Sequence, residues 1–144
     1  GPNIKHVKIK KWISRLKYPE HVKLLGDIEP EIVPKIMNRT DVIVIPSQNE
    51  GFPNVGMESM ACGKPVIGSN VGGLSEMIDN GVNGFLFPVN NIKELGRCMV
   101  TLSTDKHLLY KTSINAKECA KRNFDGSKYG HKVDEFYNKI LYYN

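Results

Sequence analysis

The sequence has no Cys-x-x-Cys pair, and its three cysteines, Cys62, Cys98 and Cys119, stand far apart. An odd, scattered set speaks against a disulfide framework or a structural zinc site and points to a reducing compartment. The four histidines are scattered too, none at ligand spacing with a cysteine or carboxylate, so no metal is expected. No apolar run approaches the roughly 20 residues of a membrane-spanning helix, and no signal-peptide pattern opens the chain. Internal repeats, low-complexity tracts and flexible linkers are also missing. With 40% hydrophobic and 24% charged residues, the 144-residue chain has the composition of one globular domain. A chain of this size buries roughly two thirds of its unfolded surface.

The net charge of +5 is uneven: residues 1–23 carry seven basic residues against Glu20 alone, and the remainder holds 13 basic and 14 acidic residues. A basic segment can meet nucleic acid, anionic lipid or phosphate, but it is more often the solvated face of a helix. No aromatic or RNA-binding signature accompanies it, so a nucleic-acid partner is not expected.

Periodicity predicts a helix over 4–16, with Ile9, Trp12, Ile13 and Leu16 as its apolar stripe, although alternation at Val7 and Ile9 leaves a strand open for its first part. Val22–Leu25 reads as a short strand and Ile32–Asn38 as a short helix. The clearest strand is Asp41–Pro46, continuously apolar and β-branched as in a parallel sheet covered on both faces. A polar loop, Ser47–Asn54, leads to a helix over Val55–Cys62. Pro65–Ser69 is a second buried strand, Gly72–Asp79 a short helix and Phe85–Phe87 a last strand. Ile92, Leu95, Met99 and Leu102 form the stripe of a further helix that Asn90 or Asn91 caps. Helices follow over 106–122 and around Tyr129–Leu141. Strands alternating with helices predict an α/β fold: a Rossmann-like parallel sheet with helices on both faces.

In such sheets ligands bind beyond the carboxyl ends of the strands. Two loops leave that edge and run into helices, Pro46–Asn54 and Ser69–Gly73. Glycine-bearing loops at helix starts offer free N–H groups and the positive end of the dipole to phosphate or sugar oxygens. Glu50 sits on the first loop and Glu58 about one turn into its helix, so both can face one crevice. Carboxylates accept paired hydroxyls of a ribose or hexose well. A loop carboxylate and a helix-start carboxylate with no ligand remain the alternative at this point.

The segment Glu50-Gly-Phe-Pro-Asn-Val-Gly-Met-Glu58 resembles the Glu-x7-Glu signature of family 4 (group 1) glycosyltransferases of the GT-B fold. Pro46-Ser47 before it, Ser59-Met-Ala-Cys-Gly-Lys-Pro-Val66 after it, Gly72-Gly73 with Glu76, and Asn83-Gly84-Phe85-Leu86 agree in order. The resemblance runs from about Val22 to Phe87 and continues weakly through the helices of 92–143. It implies that the chain is the C-terminal, nucleotide-sugar-binding lobe of a retaining enzyme, shortened at its N-terminal side.

In that family the first glutamate contacts hydroxyls of the donor sugar, which falls on Glu50 as the catalytic contact. Gly51, Phe52, Pro53 and Asn54 would lie over the sugar and diphosphate, with no donation from the Pro53 nitrogen. Val55 would lie near the ribose, with simple packing an equal reading, and Glu58 would hold the ribose hydroxyls. Gly72-Gly73 would shape the crevice floor, while Glu76 suits a cap or salt bridge at least as well. The family uses neither a metal nor another cofactor. Its diphosphate-clamping Arg and Lys have no counterpart here, and Lys5, Lys8, Lys10 and Lys11 do not occupy that motif.

The acceptor, unidentified, would bind on an N-terminal domain absent from this sequence, and the segment alone is expected to be inactive. A cytoplasmic setting follows by family analogy, with the full enzyme peripheral at the inner face of the membrane and serving polysaccharide synthesis. In the strand order 3-2-1-4-5-6, two strands would be missing between Val22–Leu25 and Asp41–Ile45. The remaining strands are therefore expected to re-pair directly or to complete the sheet with a second copy. A nucleotide-sugar epimerase or a non-catalytic nucleotide-sugar-binding module are the rival readings. The epimerase would need its own acid and base residues, and no His or Asp set is placed for them.

Overall fold

The computed structural model describes residues 2–124, with side chains from residue 8 onward. The described residues fall into two compact units divided after Pro30. The first holds helix α1 (Pro2–Ile13) and a single 3-10 turn (Pro19–His21). A helix forms where one was expected, but it ends at Ile13 and leaves Leu16 beyond it in a bend, and Ile9, Trp12 and Leu16 are all exposed. The strand expected at Val22–Leu25 is absent: these residues are irregular, with Val22, Leu24 and Leu25 exposed. A strand is stabilised by its neighbours, and none of the described strands pairs with this segment.

The second unit runs α2 (Val33–Asn38), β1 (Ile43–Ile45), α3 (Asn54–Ala61), β2 (Val66–Ser69), α4 (Gly72–Met77), β3 (Gly84–Phe87), α5 (Ile92–Thr104) and α6 (Lys106–Asn123). Its three strands form one parallel sheet in the order β1-β2-β3. Ile43 lies opposite Val66, and Val66 opposite Gly84. Direct re-pairing with Val22–Leu25 does not occur, and β1 has β2 as its one strand neighbour among the described residues.

Alternation along β2 divides the core between the two faces of the sheet. Val66 packs with Met60 of α3, Leu74 and Met77 of α4, and Ala116 and Ala120 of α6. Its neighbour Ile67 packs on the other face with Phe87 of β3 and Cys98 and Leu102 of α5. Val66, Ile67, Met60, Leu74 and Leu102 are all fully buried. Each such side chain contributes about 1.5–3 kcal/mol by leaving water. Both faces are covered by helices, as a continuously apolar parallel strand requires.

The buried face of α5 differs from the expected one. Leu102 and Cys98 are buried and Leu95 is half-buried, whereas Ile92 is 81% exposed and Met99 49%. Cys98, four residues before Leu102, joins the buried cluster with Ile67 and Phe87, and Met99, expected in the stripe, stays outside it. Asn91 caps α5 by accepting from the Glu94 N–H at 3.0 Å, and Asp105 caps α6 by accepting from the Leu108 N–H at 2.9 Å. Among the described residues no buried side-chain polar atom lacks a partner, and no helix is long and apolar enough to cross a membrane. The helix expected around Tyr129–Leu141 lies outside the described residues.

Candidate functional site

The loop from β1 to α3 leaves the carboxyl edge of the sheet, and its shape is fixed from β2. The buried Ser69 hydroxyl, at the end of β2, donates to the backbone oxygen of Ser47 and at 3.3 Å to that of Ile45. Ser47 in turn donates its own hydroxyl to Glu50 Oε2 at 2.7 Å. Glu50, half-buried on the loop, is therefore tied by its side chain to the end of β1.

The same stretch is held from below by the start of α4. The Gly73 N–H donates to the Gly51 oxygen at 2.6 Å and more weakly to the Glu50 oxygen at 3.3 Å. This contact explains the glycine pair. A Cβ on Gly72 would overlap the Glu50 carbonyl oxygen, and one on Gly73 would overlap the Gly51 oxygen and stand 2.8 Å from Phe52 Cα. Gly72 also has φ +43°, a left-handed conformation that side chains disfavour. The amides of the second loop were expected to be free for a ligand. Instead Gly73 serves the first loop, and Leu74 and Ser75 donate to Val71.

At the start of α3 the amides are available. Pro53, buried, occupies the cap position, where it makes no side-chain capping bond. Its carbonyl takes the N–H groups of Gly56 and Met57. Asn54 and Val55 are exposed, and their N–H groups have no partner among the described residues. The positive end of the α3 dipole is thus open to an anion. Phe52 is also exposed, at 46%, and meets Phe124 edge to face with ring centres 5.7 Å apart.

Glu58, exposed, lines a cleft of about 420 Å³ between α3 and α6. Asn54 and Met57 accompany it from α3, and Lys117, Lys121 and Phe124 close the other side. The two lysines bring positive charge to the cleft that Glu58 also lines, and Lys121 pairs with Glu118 at 3.7 Å on the exposed surface. Glu50 does not line this cleft. The structure therefore joins Asn54 and Glu58 in one recess, and Glu50 and Gly51 in the neighbouring clamp on α4. Phe52, Pro53 and Val55 lie between them in the chain. Glu76 lies apart, in a polar cleft with Asp79, Asn115 and Arg122. Among the described residues no three His, Cys, Asp or Glu side chains stand close enough to hold a metal ion.

Sequence reasoning missed the α6 side of the recess, because nothing in Lys117, Lys121 or Phe124 marks them locally. It also missed the bond from Ser47 to Glu50. Ser-x-x-Glu is the spacing of a capping box, where each side chain bonds the other's backbone N–H, so the spacing alone does not announce a direct bond between hydroxyl and carboxylate.

The arrangement has counterparts. The family model for glycosyl transferases group 1 matches residues 5–119. An uncharacterized glycosyltransferase of Methanocaldococcus jannaschii is 38% identical over 71% of this chain and 29% of its own length. The N-acetyl-alpha-D-glucosaminyl L-malate synthase of Bacillus anthracis is 28% identical over 90% of this chain and 33% of its own. Among solved structures, Anabaena HepE in complex with UDP-glucose superposes with a TM-score of 0.87 and 29% identity, covering 96% of this chain and 38% of that one. The chain spans about a third of the length of the relatives it matches. With an ordered set of motifs, a parallel α/β sheet and a family match over most of its length, the chain belongs to the group 1 glycosyl transferases.

Proposed function

We propose that this chain is the donor-binding part of a retaining glycosyltransferase that takes its sugar from a nucleoside diphosphate sugar, a UDP-sugar first among them. The observation that carries this reading is the likeness, over nearly the whole chain, to a relative crystallised with UDP-glucose. Glu50 accepts hydrogen bonds from hydroxyls of the sugar and is the catalytic contact. Gly51, Phe52, Pro53 and Asn54 cover the sugar and diphosphate, and Val55 borders the ribose. Glu58 accepts from both ribose hydroxyls, a pairing that suits the two oxygens of a carboxylate.

Departure of the nucleoside diphosphate leaves an oxocarbenium-like sugar and places negative charge on the leaving phosphate. Donors and dipoles aimed at that charge lower the barrier. In this chain the Asn54 and Val55 amides at the open start of α3 meet the requirement. No metal is needed for that role. The acceptor binds on a part of the enzyme outside this sequence, so the segment alone binds donor without transferring sugar. The strand edge of β1 suits either that part or a second copy of the chain.

Calorimetric titration with UDP, GDP, ADP and their glucose conjugates tests the proposal. Selective binding of one nucleotide is expected. Glu58→Ala should weaken it by about 1.5–3 kcal/mol, the contribution of a charge-assisted hydrogen bond. Unchanged affinity in that variant would remove Glu58 from the site.

A further inference from the structure

The bond between Ser47 and Glu50 points to a role for Ser47 beyond folding. Glu50 is a loop side chain with three rotatable torsions, and such a side chain loses freedom when it engages a ligand. Its carboxylate is already fixed on one oxygen: Oε2 accepts from Ser47 at 2.7 Å, and Oε1 has no partner among the described residues. Ser47 is itself immobilised, because the buried Ser69 hydroxyl holds its backbone oxygen. The backbone at Glu50 and Gly51 is held from the start of α4, where the Gly73 N–H donates at 2.6 Å to the Gly51 oxygen and at 3.3 Å to that of Glu50. Main chain and side chain of Glu50 are thus oriented independently, one from α4 and the other from the end of β1.

We infer that Ser47 is a positioning residue for donor-sugar recognition, holding Glu50 with Oε1 presented to a sugar hydroxyl. This inference rests on the reading of Glu50 as the sugar contact. Both residues are half-buried, so their bond is less exposed to competing water than one on the open surface. A hydroxyl that acts through Glu50 should matter for the sugar and not for the nucleotide, because the nucleotide contacts lie on α3.

The test compares UDP-glucose with UDP, using their affinity ratio as the measure of sugar recognition. Ser47→Ala should reduce that ratio about tenfold, the scale of one charge-assisted hydrogen bond, and leave UDP affinity unchanged. Ser47→Thr keeps the hydroxyl and should restore the ratio. In a Glu50→Ala background the Ser47→Ala change should add nothing, the signature of two groups acting as one. Should Ser47→Ala fail to fold, Ser47→Gly provides a second hydroxyl-free variant for the same cycle.

Loss of the ratio in Glu50→Ala but not in Ser47→Ala would overturn the inference and leave the role of Glu50 standing. Equal losses for UDP and UDP-glucose, or additive losses in the double variant, would also overturn it, since they mark a merely structural role. An unaltered ratio in Glu50→Ala would refute the sugar contact itself, and absence of UDP-glucose binding in the unaltered chain would refute the donor reading on which both rest.

Discussion

Gly72→Ala is the substitution that most directly tests how the donor loop is built. Two costs add at this position. Alanine in a left-handed conformation costs about 1–2 kcal/mol, and Gly72 has φ +43°. The new methyl also overlaps the Glu50 carbonyl oxygen and stands 3.1 Å from its carbon, both rigid backbone atoms. Relief requires the loop to lift from α4, which breaks the bond from Gly73 N–H to the Gly51 oxygen and costs about 0.5–1.5 kcal/mol more. The total is about 1.5–3.5 kcal/mol, and for a chain of this size the melting temperature should fall by on the order of 5–12 °C.

Binding should suffer as well, because the displaced carbonyl belongs to Glu50; UDP-glucose affinity should drop by about tenfold or more if one charge-assisted contact is lost. Gly81→Ala is the control. Gly81 has φ +79°, and a Cβ there would meet nothing within 4 Å, so the substitution carries conformational strain alone. Urea unfolding and calorimetry on the two variants decide the matter. A Gly72→Ala protein as stable and as good a binder as Gly81→Ala would refute the close-approach argument.

Two further outcomes follow from the core. Leu102→Ala should cost about 2–5 kcal/mol in urea unfolding, because Leu102 is fully buried against Ile67, Phe87 and Cys98. It should leave nucleotide affinity unchanged in the folded fraction, since the donor loop and α3 lie outside that cluster. Burial, with the nearby Glu94 charge, pushes the Cys98 thiol above its ordinary pKa. A folded pKa above the unfolded one gives a contribution that is complete below the unfolded value, near 9.0, and lost as pH rises through the folded value. Unfolding curves should therefore show the stability of the unaltered chain falling faster above that pH than the stability of Cys98→Ala.

Much of this molecule is legible in its residues. The runs expected as strands, Asp41–Pro46 and Pro65–Ser69, contain β1 (Ile43–Ile45) and β2 (Val66–Ser69), shorter than expected, because their β-branched residues suit a sheet covered on both faces. Asn91, one of the two residues expected to cap α5, does so by local chemistry that needs no tertiary knowledge. Val22–Leu25 misleads for the converse reason, since its apolar composition suits a strand and composition does not supply a neighbour to pair with. The face of α5 also escapes, because a cysteine is a small hydrophobe whose fit against Phe87 depends on the space left by the sheet. Glu50 and Glu58 are visible in the sequence by their spacing. The clamp around Glu50 is not, because it joins Ser47 to Ser69 and Gly51 to Gly73, pairs 22 residues apart that only the folded loop brings together.

The central claim is that a nucleotide sugar sits over the segment from Glu50 to Glu58. Amide chemical-shift mapping of the isotope-labelled chain during titration with UDP-glucose measures this most directly. The account predicts the largest shifts at Gly51, Phe52, Asn54, Val55 and Glu58, saturating with a single affinity. Shifts confined to the polar cleft of Asp79, Asn115 and Arg122, or none along 50–58 at ligand saturation, would contradict it.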